Sequence, residues 1–72
     1  MMPLSMARMG EPVRIMRING KDETKRFLNS LGFVIGDNVT VVSQLGGNMI
    51  INVKDTRVAI DKSMATRIMI NE

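Results

Sequence analysis

The 72-residue chain has no Cys, His, Trp or Tyr, and only two Phe and two Pro. Each absence removes a class of function. Without Cys there is no disulfide framework and no thiolate metal site; without His the usual zinc sets and the Ser/His and Cys/His nucleophile pairs are gone too. Any chemistry falls to carboxylates, Ser, Thr or Lys. With both Phe residues expected inside, no aromatic platform remains for stacking nucleic-acid bases. Long apolar runs are also missing: the longest are triplets such as Phe33-Val34-Ile35 and Met49-Ile50-Ile51, far short of the ~17 residues a membrane span needs. The opening Met1-Met2-Pro3-Leu4-Ser5-Met6-Ala7-Arg8 is too polar for a signal-peptide core, so the expected location is cytoplasmic.

A chain of this length is expected to leave about 4,500 Å² of surface exposed and to bury roughly 60% of its unfolded surface, enough for one thin core held by packing alone. No repeat, linker or low-complexity stretch interrupts it, so residues 1–72 read as a single domain. Ten Lys and Arg face seven Asp and Glu, a formal charge of +3. The cations are scattered rather than clustered in a tail, which permits an acidic partner without requiring one.

Glycine and proline punctuate short β segments. Pro12 and Gly20 bracket Val13-Arg14-Ile15-Met16-Arg17-Ile18, where β-branched and cationic residues alternate as on a half-buried strand. Ile18 breaks that alternation and points either to a bulge or to burial on both faces. Asp22 is the expected cap of a helix whose apolar side is Thr24, Phe27, Leu28 and Leu31, with Lys25, Arg26 and Asn29 opposite. Gly32 closes it in the left-handed conformation and turns Phe33 back on Leu28. Strands are then expected at 39–42, 49–53, 57–60 and 67–70. Leu45-Gly46-Gly47-Asn48 forms a hairpin tip and Lys54-Asp55 a tight turn. Asp61 caps one helical turn, Lys62-Ser63-Met64-Ala65, before the last strand. The fold class is mainly β: a small, five-stranded antiparallel barrel, closed on itself, with one inserted helix and one short helical turn.

No residue is a candidate for catalysis, for cofactor binding or for a metal. The acids do not cluster; Asp22-Glu23, the one adjacent pair, sits at a helix start, where dipole and capping roles account for it. Eight Met residues offer soft thioethers, but only Met6 and Met9 are closely spaced, and core filling and adaptable surface packing explain the set. Gly46-Gly47 lacks the Lys-Ser/Thr of a phosphate-binding loop.

The segment Leu31-Gly32-Phe33-Val34-Ile35-Gly36-Asp37-Asn38-Val39-Thr40-Val41 resembles the most recognisable stretch of the ferrous iron transport protein A (FeoA) family. Similar positions flank it: Leu4, Gly10 and the Val13–Ile18 strand before it, and Leu45-Gly46-Gly47, Arg57-Val58-Ala59-Ile60, Ala65 and Ile68-Met69-Ile70 after it. Ile35 stands where the family often has Pro, Asp55 where a Gly is frequent, and Asp61 where a basic residue is common. The resemblance implies an SH3-like barrel. It also implies an accessory role in bacterial ferrous iron uptake, docking on the cytoplasmic GTP-binding domain of the membrane transporter FeoB. Exposed loops, rather than a reactive site, would make that contact: first the Leu45, Gly46, Gly47, Asn48 tip, where an apolar side chain stands beside two glycines, and second the cationic helix face of Lys21, Lys25 and Arg26. The alternatives are a small-barrel nucleic-acid-binding module, favoured by a pI near 10.0, and a ferrous iron chaperone using surface carboxylates. Self-association is compatible with all three.

Overall fold

The computed structural model describes residues 1–71. Six antiparallel strands form its sheet: β1 (Met2–Pro3), β2 (Pro12–Ile18), β3 (Asn38–Leu45), β4 (Asn48–Val53), β5 (Thr56–Asp61) and β6 (Ile68–Ile70). A 3-10 turn (Leu4–Met6) follows β1, helix α1 (Asp22–Ser30) lies between β2 and β3, and the single-turn helix α2 (Lys62–Ala65) links β5 to β6. The strand order is β1-β6-β2-β3-β4-β5. The five expected strands are all present, and β1 adds a sixth by pairing Met2 with Ile70 and Pro3 with Met69. No β1–β5 pairing joins the two ends of the sheet among the described residues. Helix α2 follows β5 and packs against β4, β5 and the 3-10 turn.

Alternation explains what lies inside. Ile15 and Ile18 on β2, Val39 and Val41 on β3, Met49, Ile51 and Val53 on β4, and Ile68 and Ile70 on β6 form one core with Leu4, Leu28, Phe33, Ile60 and Ala65. Among the described residues, no polar or charged one is buried with them. The accessible surface of 4568 Å² matches the size expected for the chain length. Ile18 reaches the core because the register shifts between Ile15 and Arg17, making Met16 the extra residue of a bulge, as the broken alternation allows. A second bulge lies between Val41 and Ser43.

Helix α1 ends as its sequence dictates. Gly32 has φ +104°, the Phe33 amide donates to the Leu28 carbonyl and the Gly32 amide to the Asn29 carbonyl, both at 3.0 Å. This paired arrangement satisfies the orphan carbonyls and drives Phe33 into the core. The start differs from expectation: Lys21, not Asp22, is the cap residue, and no side chain bonds there. Asp22 and Glu23 lie in the first turn, where their charge meets the positive end of the helix dipole.

Phe27 also differs from expectation, standing 48% exposed while Phe33 is fully buried. Thr24, Leu28 and Leu31 define the inward stripe, and Phe27 lies about 60–70° to one side of it on a 3.6-residue helix. It faces outward at the stripe's margin.

Candidate functional site

The most exposed large apolar side chain is Leu45, at 70%. It sits at the end of β3, directly across from Asn48, and Gly46-Gly47 form the intervening two-residue turn. Gly46 has φ +58°, a conformation that costs a glycine nothing. The turn at Lys54-Asp55 uses the same device with a non-glycine, since Lys54 has φ +55°. The left-handed residue there is therefore Lys54 rather than Asp55. The Leu45 tip is braced from behind: the Lys62 amide donates to the Gly47 carbonyl at 3.0 Å, tying the hairpin to the start of α2.

Helix α2 is in turn fixed by Asp61. Its Oδ1 accepts the Met64 amide and the Ser63 hydroxyl, each at 2.8 Å. The Met64 amide, then the Ser63 hydroxyl, hold the Asp61 carboxyl below its ordinary pKa. The predicted cap is thus the element that supports the tip.

Next to the tip runs an open groove of about 310 Å³ lined by Phe27, Asn48, Ala59, Ile60, Asp61 and Met64. Asn48 belongs to both features. The groove was not legible as a site because its parts come from α1, β4, β5 and α2; the one signal was an aromatic at the edge of a helical stripe. Of the other expected contact residues, Lys21, Lys25 and Arg26 are exposed on or beside α1, but the contribution of α1 to the groove is Phe27. The cationic face and the tip are therefore two separate features.

A second groove, of about 410 Å³, brings Met2 and Met6 beside Arg8 and Glu11. Among the described residues, Glu11 is its one carboxylate, and no three acidic, His or Cys side chains converge as a metal site would require. Met49 is fully buried while Met6 and Met9 are exposed, which divides the methionines between core and surface. No helix among the described residues is long and apolar enough to cross a membrane.

Comparison with known proteins places this geometry. A family model described as "FeoA domain" matches residues 2–72. The "Putative Fe(2+) transport protein A" of Methanocaldococcus jannaschii is 32% identical over 72 residues, covering 100% of this chain and 88% of that protein. A crystal structure of an iron uptake regulatory protein (FeoA) superposes with a TM-score of 0.89 at 31% identity, over 97% of this chain and 93% of that one. The zinc complex of Stenotrophomonas maltophilia FeoA, described as a prokaryotic SH3 domain protein, gives a TM-score of 0.85 at 27% identity, over 99% of this chain and 91% of that one. The fold is the expected SH3-like barrel.

Proposed function

The chain belongs to the FeoA family of ferrous iron transport accessory proteins, and we propose that it acts by docking on the cytoplasmic GTP-binding domain of the transporter FeoB, modulating its assembly or activity. The observation that carries this reading is the Leu45 tip. An apolar side chain 70% exposed is held on a two-residue turn that is hydrogen-bonded to a capped helix. Such a side chain is pre-positioned, so little ordering cost is added when it enters a partner's pocket. The adjoining groove, with Phe27 and Met64, supplies an adaptable apolar wall for what the partner returns. Lys21, Lys25 and Arg26 form a second, electrostatic contact that orients the approach to an acidic surface. On this reading the protein works in the cytoplasm, drawn to the inner face of the membrane by its partner.

Calorimetric titration of the transporter's isolated cytoplasmic domain tests the proposal. Wild type is expected to bind, and Leu45→Asp to bind at least about tenfold more weakly, the loss of a buried leucine at an interface. Equal affinity of the two would remove the tip from the interface, and no binding by wild type would overturn the docking role.

A further inference from the structure

We infer that two copies of this chain associate through β5, strand edge to strand edge, about a two-fold axis at Ala59. The two ends of the sheet are unlike. β1 is two residues long and contains Pro3, which blunts it; β5 is six residues long, without proline and without a register shift against β4. Long, regular edges of this kind are templates for another strand.

The phase of the ladder identifies which groups are free. Lys62 donates its amide to Gly47, and on β5 the residues Ile60, Val58 and Thr56 continue that hydrogen-bonding phase toward Met49, Ile51 and Val53. Arg57 and Ala59 lie between them and turn their backbone groups outward, as does the amide of Asp61, whose carbonyl opens helix α2. Among the described residues, no hydrogen bond beyond the β4–β5 ladder reaches the backbone of Arg57 or Ala59.

A second β5, laid antiparallel with Ala59 opposite Ala59, uses those groups in pairs. The same register sets Arg57 of each copy directly opposite Asp61 of the other, on one face of the sheet. Directly opposed residues of opposite charge favour the pairing. All three residues are exposed, and the only ion pair among the described residues is Lys54 with Asp37 at 3.7 Å, so Arg57 is not engaged elsewhere. Asp61 Oδ1 is committed to Met64 and Ser63, which leaves Oδ2 for the arginine. Alanine at the centre keeps side-chain bulk off the axis. Phe27 and Met64, which share a groove with Ala59 and Ile60, add apolar surface beside the edge. The interface is isologous and therefore closes at two copies. It shares the Phe27 and Met64 groove with the proposed docking surface, but it needs only this chain and is tested without the transporter.

Sedimentation equilibrium of the full chain, from about 10 μM to about 1 mM, spans the range of a modest interface. The expected result is a concentration-dependent doubling of the 8.0 kDa mass. A single 8.0 kDa species throughout would overturn the inference. Ala59→Pro removes an outward amide without touching the ladder to β4, a substitution that strand edges accept. It should remain folded by circular dichroism and stay monomeric. Arg57→Asp and Asp61→Arg should each weaken self-association about tenfold by setting like charges opposite one another, and an equimolar mixture of the two should recover a heterodimer seen by native mass spectrometry. Wild-type association by folded Ala59→Pro, or a mixture that pairs no better than either variant alone, would exclude this edge and register.

Discussion

Gly32 passes so close to Val53 that a Cβ in its place would stand 2.9 Å from Val53 Cγ1. Two independent constraints meet at this residue. Its φ of +104° disfavours any L side chain, and its neighbour is a buried valine, 2% exposed, that has no room to retreat. Gly32→Ala is therefore expected to destabilise the fold by about 2–4 kcal/mol, combining backbone strain with overpacking. Thermal and urea unfolding monitored by far-UV circular dichroism would measure it. A loss below about 0.5 kcal/mol would mean that neither constraint operates.

The two phenylalanines should behave as opposites. Phe33 is fully buried and Phe27 is 48% exposed, so Phe33→Ala leaves a cavity in a thin core and should cost about 3–5 kcal/mol. Phe27→Ala should cost less than about 1 kcal/mol while weakening any partner contact made through the groove. Chemical denaturation of both variants gives the comparison directly.

How far the sequence carried is clearest from these same residues. The Gly32 stop, the Ile18 bulge, the Asp61 cap and the two hairpin turns were all legible, because each depends on a few consecutive residues with strong backbone preferences. The positions that escaped depend on distant chain segments. Met2–Pro3 becomes a strand only because β6 offers it an edge, and the bulge at Val42 is defined only by the register of β3 against β4. Phe27 looked like core because it has a core residue's chemistry and nearly its spacing. Its exposure follows from where β5 and α2 lie relative to α1, which no local pattern records. Of the expected contact residues, the Leu45 tip was readable from its two glycines, whereas the groove beside it exists only in the folded chain.

Asn71 continues β6 beyond its assigned end. Its amide donates to the Arg14 carbonyl at 3.0 Å and its Oδ1 accepts the Arg14 amide at 2.7 Å. The side chain thus takes the place of a backbone carbonyl in the ladder. Asn71→Ala is expected to cost about 0.5–1.5 kcal/mol, the net worth of one hydrogen bond. Asn71→Asp, which keeps the acceptor, should recover most of the loss at neutral pH. Hydrogen exchange at the Arg14 amide, accelerated in Asn71→Ala and restored in Asn71→Asp, is the measurement that ties the effect to this contact.

Asp61 sets an acid limit on α2. Its carboxylate accepts the Met64 amide and the Ser63 hydroxyl at 2.8 Å each, and both bonds favour the ionised form, so its pKa in the folded protein lies below that in the unfolded chain. A depressed carboxyl pKa contributes stability that is complete above the unfolded value, about pH 4, and is lost as the pH falls through the lower folded value. Helix α2 has one turn and no stability of its own, so loss of the cap should loosen α2 before the sheet unfolds. The amide resonances of Ser63 and Met64 should therefore shift together on acidification below about pH 4, along with reduced protection at Lys62, which braces the Leu45 tip. Asp61→Asn retains an acceptor for the Met64 amide without a titrating group, and should remove this local transition while leaving the broader acid unfolding in place. The same transition in wild type and Asp61→Asn would assign it to another carboxylate.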